Sequence, residues 1–259
     1  MLRALPRWAS SVAGNGGGAG KRIALIHAMQ PSIASSLPAF KQLWPEAELV
    51  HLMDDSLARD VARTGLDDAM DRRFLELGRY ARDGAGCHGI LFTCSAFGSS
   101  IEGVQRALRT DEFPVLKPNE AMMEEAVQLR GSIASERNAP IAVFSIFQPT
   151  LESIPREMRD IGGEGLQIET HFVPGALDAL NGGDEAGCIS AIAEAAESRA
   201  AEAARTGEDL ACVVFAMFSM ARARGATQQW LAASLGERAP QVLTSPDSAV
   251  IRLRQLLGR

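Results

Sequence analysis

Apolar and polar positions alternate along this chain in blocks of two lengths. The short apolar blocks RIALIHA (residues 22–28), AELVHLM (47–53), GILFTCS (89–95) and PVLKP (114–118) read as strands, short and apolar enough to be buried on both faces. Longer blocks between them carry apolar residues three and four positions apart, the spacing of one helix face. Residues 32–44 read as a helix despite Pro38. Residues 67–82 read as a long helix with Met70, Phe74, Leu77 and Tyr80 on one face, and 99–108 and 119–129 as two more helices. Short strands alternating with helices predict an α/β protein with mainly parallel sheets covered on both faces.

The same pattern occurs twice. Ile23-Ala-Leu-Ile-His-Ala-Met-Gln-Pro-Ser32 matches Ile141-Ala-Val-Phe-Ser-Ile-Phe-Gln-Pro-Thr150 at an offset of 141 − 23 = 118. Ile, Ala, Gln and Pro coincide, and Ser32 faces Thr150, each hydroxyl suited to cap a helix N-terminus. Gly89-Ile-Leu-Phe-Thr-Cys94 then matches Cys212-Val-Val-Phe-Ala-Met217 at an offset of 123, and Val115–Ala121 matches Val242–Ala249 at 127 rising to 128. Three matches in one order, with slowly growing offsets, indicate duplication of a whole unit. The expected architecture is two pseudo-twofold-related, doubly wound α/β domains with a cleft between them. Residues 1–20 form a flexible leader, 21–118 plus 247–259 the first domain, and 119–246 the second. A ligand is expected at the carboxyl ends of the strands.

Composition narrows the function. Apolar residues make up 46% of the chain and charged residues 22%, ordinary for a globular protein, and a formal charge of −6 argues against a nucleic-acid partner. No apolar run reaches the roughly 18 residues of a membrane span, so no membrane partner is expected. The first twenty residues carry two Arg and end in a Gly-rich stretch, and their apolar stretch is too short for a secretory signal. The four cysteines, Cys87, Cys94, Cys188 and Cys212, include no CxxC pair, and four histidines show no zinc-ligand spacing. Reduced thiols in the cytoplasm, and no metal, are the expectation. Neither a GxGxxG turn after the first strand nor a phosphate-binding GxxxxGK[ST] loop is present.

Cys94 is the candidate reactive group. It closes a strand where open α/β sheets bind ligands, and the following helix N-terminus would favour a thiolate. Its neighbours Thr93 and Ser95 offer hydroxyls for a carboxylate or oxyanion. The duplicated partner of Cys94 is Met217, whose thioether moves no proton; Ser219 lies near it, and Cys212 falls earlier in its strand and reads as core. His27 and Gln30 follow the first strand, and Gln148 follows its repeat, as further substrate-binding candidates. His51, His88 and His171 receive no role. Asn119, Glu120, Asp247 and Ser248 read first as residues of helix starts.

On these residues the chain resembles the aspartate/glutamate racemase superfamily, which includes aspartate, glutamate and hydantoin racemases, maleate isomerase and arylmalonate decarboxylase. The resemblance covers most of the chain after residue 21 and rests on the duplication, on GILFTCSAFG around Cys94, and on VVFAMFSMA in the second half. It implies a carbanion or enolate next to a carboxylate, formed without metal or organic cofactor. The family's racemases use two cysteines on opposite faces of the substrate. Cys94 corresponds to the first, Thr93 and Ser95 to its carboxylate- or oxyanion-binding neighbours, and Ala216-Met217 replaces the second site's usual Gly-Cys.

Three functions follow as expectations. The first is an isomerase of this superfamily acting alpha to the carboxylate of a small acid, with Cys94 as acid–base group or nucleophile. The second is a single-cysteine decarboxylase or a maleate-type cis–trans isomerase. The third is a non-catalytic small-carboxylate-binding protein that lost its second cysteine. A homodimer is compatible with each, being the commonest soluble assembly.

Overall fold

A computed structural model describes residues 20–133 and 139–258. The leader expected over residues 1–20 lies, except for Gly20, outside the described residues. The first half runs β1 (Arg22–His27), α1 (Pro31–Leu43), β2 (Glu48–Met53), α2 (Leu57–Thr64), α3 (Asp68–Arg79), β3 (Gly89–Phe92), α4 (Gly98–Leu108), β4 (Val115–Leu116) and α5 (Glu120–Ser132). The second runs β5 (Ile141–Ser145), α6 (Thr150–Gly162), β6 (Ile168–Phe172), α7 (Ala176–Asn181), α8 (Glu185–Thr206), β7 (Cys212–Phe215), α9 (Arg224–Leu235), β8 (Val242–Thr244) and α10 (Ser245–Leu257).

Each half builds a four-stranded parallel sheet, in the orders β2-β1-β3-β4 and β6-β5-β7-β8. The registers correspond as well. Ile23 pairs with Gly89 in one sheet and Ile141 with Cys212 in the other, reproducing the offsets of 118 and 123 in the sequence. Strand alternation then sorts the side chains onto two faces. On one face of the first sheet Ala24, Ile26, Ile90 and Phe92 pack against Leu57 of α2, Met70 and Phe74 of α3, and Ile101 and Val104 of α4. On the other, Ile23, Leu25, Leu91 and Leu116 meet Phe40 of α1 and Val250, Leu253 and Leu257 of α10.

The helix that follows the fourth strand in each half therefore covers the sheet of the other half. While α10 lies on the first sheet, α5 places Met122, Met123 and Ala126 against Ile141, Val143, Cys212 and Val214 of the second. Where the two exchanged helices meet, Ser245 Oγ donates to Asn119 Oδ1 at 2.6 Å and Ser248 Oγ to Glu125 Oε2 at 2.6 Å. These bonds satisfy polar groups that burial would otherwise penalise.

Three expectations need correction. The long helix ends at Arg79 and widens into a π-turn over Tyr80–Gly84; Tyr80 is 58% exposed, and Gly78 and Ala81 occupy the inner face instead. The reason is closeness of approach: a Cβ on Gly78 would come within 2.7 Å of Val104 Cγ1. Ser32 and Thr150 do not cap their helices. The preceding Gln30 (φ −56°, ψ −38°) and Pro149 (φ −60°, ψ −24°) are already helical, so the hydroxyls fall inside the first turn. Finally, α2 is an additional helix. It buries Leu57 and packs Val61, one turn further on, against the same core.

Candidate active site at the carboxyl end of the first sheet

The ends of β1 and β3 bring polar groups into an otherwise apolar layer. His27, the last residue of β1, is 0% exposed, and Thr93, just past β3, is 4% exposed. His27 Nδ1 lies 2.9 Å from Thr93 Oγ1, and His27 Nε2 lies 3.0 Å from Nδ1 of His51 on β2. Thr93 Oγ1 donates its proton to the carbonyl of Ile26 at 3.2 Å. A neutral imidazole carries one ring proton, so which partner donates in the two ring contacts follows the tautomers. The two rings stack with centroids 5.2 Å apart. Burial, reinforced by His51, holds His27 down at about 4, so the ring is neutral at physiological pH. Burial lowers His51 as well.

Cys94 turns to the opposite face of the sheet. It continues β3 in extended conformation (φ −130°, ψ 121°) and packs, half-buried, with the core beneath α3 and α4. The crevice beside it is lined by Ile26, His27, Ala28, Leu57, Phe74, Phe92 and Phe97, all from the first half, and is too narrow to hold a water molecule. Burial in this apolar setting pushes the Cys94 thiol up, opposed by the Ala96 backbone N–H. This corrects the expected thiolate. A 3-10 turn over Ser95–Phe97 separates Cys94 from α4, so the helix N-terminus does not start at the sulfur, and desolvation prevails. At neutral pH Cys94 is a thiol, suited to giving a proton.

The remaining candidates are spread apart. Gln30 and Gln148 stand exposed on equivalent turns, and Ser95 is exposed beside Cys94. Met217 is half-buried against the core of the second half. Ser219 sits in a 3-10 turn over Phe218–Ala223, where its carbonyl accepts from Arg222 Nε at 2.8 Å. Cys212 is fully buried, its thiol pushed up to about 12. Asn119 precedes α5 without capping it and accepts from Ser245 instead. Asp247 accepts from Thr244 Oγ1 at 2.7 Å and pairs with Arg224 at 3.2 Å.

His51 is the residue that reading the sequence passed over. Its signal was position: it lies near the end of the strand beside β1, with the parity that puts it on the same face as His27. That parity becomes readable only once the β1–β2 register pairs Leu25 with His51. Among the described residues no group of three or more His, Cys, Asp or Glu is placed to hold a metal ion, and no helix is long and apolar enough to cross a membrane.

No protein-family model matches the sequence, and no curated protein matches it either. Solved structures do match in fold. Against the aspartate racemase of Picrophilus torridus the TM-score is 0.56 at 12% identity, over 92% of this chain and 95% of that one. An allantoin racemase from Pseudomonas fluorescens gives 0.54 at 13% identity, over 92% and 91%. A glutamate racemase from Bacillus anthracis gives 0.53 at 13% identity, over 93% and 82%. With its two parallel sheets and flanking helices, the chain has the α/β fold of the aspartate, glutamate and allantoin racemases.

Proposed function

We propose that this protein is an isomerase-type enzyme of the aspartate/glutamate racemase superfamily that works with one thiol. Its substrate is a small carboxylic acid that forms a carbanion or enolate next to the carboxylate, and Cys94 supplies the proton to one face. The observation that carries this reading is the contrast between two equivalent strand ends. Cys94, raised by burial and so protonated, follows β3, while Met217 stands in the same place after β7. Inversion at carbon needs a proton-moving group on each face, and a thioether moves none. Single-face chemistry, as in decarboxylation or cis–trans isomerisation, suits one protonated thiol better than two-cysteine racemisation does.

Thr93, Ser95, His27, Gln30, Gln148, Met217 and Ser219 are assigned to the substrate side because they follow equivalent strands. The division into residues 21–118 plus 247–259 and 119–246 is supported by the exchange of α5 and α10. Four free cysteines fit the reducing cytoplasm, and the chemistry asks for no cofactor. A second reading, a carboxylate-binding protein without turnover, is favoured by Met217 standing where a second proton-moving group would be.

The test is proton exchange in deuterated water with amino acids, 2-aryl acids, malonates and maleate, beside Cys94→Ala. Cys94-dependent turnover with deuterium delivered to one face is the expected result. Cys94-dependent inversion would overturn the one-thiol reading, and no Cys94-dependent change on any compound would favour the binding protein.

A further inference from the structure

The walls of the crevice beside Cys94 differ in how firmly they are fixed. Phe92 ends β3, Phe97 lies in the turn after Cys94 and Phe74 in the middle of α3, and all three are almost completely buried. They hold one another: Phe74 stacks on Phe92 with ring centroids 5.5 Å apart and tilts against Phe97 at 4.9 Å. Leu57 lines the same crevice but belongs to α2, of which it is the one completely buried residue. Other contacts also keep α2 in place. Arg73 of α3 donates to Asp60 Oδ2 at 2.7 Å and to Asp54 Oδ2 and Ser56 Oγ at 2.5 Å, and Val61 packs against the same core. The Leu57 side chain is therefore the wall that can change without moving the sheet or the helix.

The crevice selects by chemistry as well as by size. Cys94 is partly open to solvent, so a small acid can reach its thiol. Apart from His27, the other residues beside the thiol carry apolar side chains, and no carboxylate, ammonium or guanidinium lines the space. A charged group entering it would lose its hydration with nothing to replace it, whereas an apolar group gains by leaving water. Filled so closely that water is excluded, the crevice has no room for a bulky group.

We infer that Leu57 is a specificity-determining residue of the Cys94 site. Its side chain occupies the apolar space beside the thiol where a substituent on the reacting carbon would lie, and so limits the substrate to acids whose substituent there is small and uncharged. The limit on substrates rests on the one-thiol reading above; the limit on space at the sulfur does not. Leu57→Ala opens an apolar cavity walled by Phe74, Phe92 and Phe97, the kind of space that stays dry and takes up a benzene-sized group. A leucine that only packed the core would, when truncated, loosen access to Cys94 for large and small groups alike. A size filter changes their order.

The test uses the full chain and needs no substrate. Cys94 is labelled with methyl and with benzyl methanethiosulfonate, two uncharged reagents of different apolar bulk. The Cys94 peptide is followed by mass spectrometry, which separates it from the buried Cys87, Cys188 and Cys212. In each reaction the thiolate attacks the reagent's divalent sulfur, a disulfide forms and methanesulfinate leaves. The wild type is expected to favour the methyl reagent. Leu57→Ala is expected to raise the benzyl-to-methyl rate ratio at least about tenfold, the low end of what a methylene is worth in an apolar pocket. Leu57→Val, the milder truncation, is expected to shift the ratio the same way but less far. Val104→Ala shortens a residue of the same core that does not line the crevice, and is expected to leave the ratio as in the wild type. An unchanged ratio in a folded Leu57 variant, or an equal rise in Val104→Ala, would overturn the filter. Once a substrate has been found, Leu57→Ala is expected to raise kcat/KM for acids with a phenyl or branched alkyl group on the reacting carbon relative to acids with hydrogen or methyl there. Equal changes for both would overturn the limit on substrates. A panel with no Cys94-dependent turnover sinks the one-thiol reading, while the labelling still decides whether Leu57 limits the space at the sulfur.

Discussion

The two halves share a scaffold and differ at the strand ends. Their sheets have the same order, their registers are offset by the same 118 and 123 residues as their sequences, and their first turns present the equivalent apolar residues Met29 and Phe147, 48% and 47% exposed. At the carboxyl ends the correspondence of chemistry stops. His27 is matched by Ser145, which hydrogen-bonds locally to the Phe147 carbonyl at 2.9 Å; Thr93 is matched by Ala216, Cys94 by Met217 and Ser95 by Phe218. Phe218 packs against the core of the first half. The first strand-end set holds four polar or thiol groups, whereas the second keeps one hydroxyl, Ser145, beside three packing side chains. Duplication supplies a fold with two equivalent strand-end sites, and on the proposed reading side chains at four positions decide which of them carries chemistry.

Removing the thiol from one half and the thioether from the other is the sharpest way to break that comparison. Cys94→Ala is expected to lower turnover about 10²–10⁴-fold, the range for losing a positioned proton donor. Met217→Ala is expected to leave the chemical step within about tenfold. Kinetics on whichever acid the exchange panel identifies will check both. Equal losses from the two variants would mean that the second half takes part in proton transfer after all.

The scaffold, by contrast, should respond alike in both halves. Phe92 and Phe215 occupy equivalent strand positions and are almost completely buried. Truncating either to Ala is expected to cost about 3–5 kcal/mol of stability. Because α5 and α10 are exchanged between the sheets, each variant should still unfold in one transition, seen by denaturant titration with two probes. Two separated transitions would show that the halves fold independently.

How much of this was legible in the sequence differs between the same two levels. The central strands were readable because parallel strands buried on both faces are short apolar runs, as RIALIH is; AELVHLM forms the edge strand β2 and, against the expectation, is buried on neither face. The duplication was readable for the same reason. Positions decided by close approach were not: Gly78 sits on the inner face through its lack of a side chain, which an apolar periodicity cannot register. Cys94 was readable as a strand-end thiol, but its protonation state was not. That depends on a 3-10 turn between the sulfur and α4, and on phenylalanines from α3 and the turn itself. The partnership of His27 with His51 needed the strand register, since nothing in their spacing of 24 residues marks it.

The buried histidine also makes the first half sensitive to acid. His27 titrates at about 4 in the folded protein, against roughly 6.5 in an unfolded chain. Between those values the unfolded state binds more protons, so stability falls as pH falls. The neutral ring's advantage is complete above about pH 6.5 and is lost progressively as pH drops to about 4; two and a half units correspond to about 3 kcal/mol. Chemical denaturation of the wild type at pH 7 and pH 4, beside His27→Asn, isolates this part. The wild type is expected to lose about 2–3 kcal/mol more than the variant. Equal losses would place the acid sensitivity elsewhere.

Met217→Cys has the smallest expected effect on stability and bears most directly on what separates the halves. Met217 is half-buried against the second core, so shortening it to Cys should cost about 1 kcal/mol or less. Chemically it puts a second thiol at the position equivalent to Cys94. If the halves differ in reactivity only through that side chain, the variant should release product with deuterium on both faces of the carbon where the wild type labels one. Chiral analysis in deuterated water reads this directly. Should labelling stay one-sided, the missing thiol is not the whole difference. The absence of a polar partner at Ala216, where the first half has Thr93 bonded to His27, would then be the next position to change.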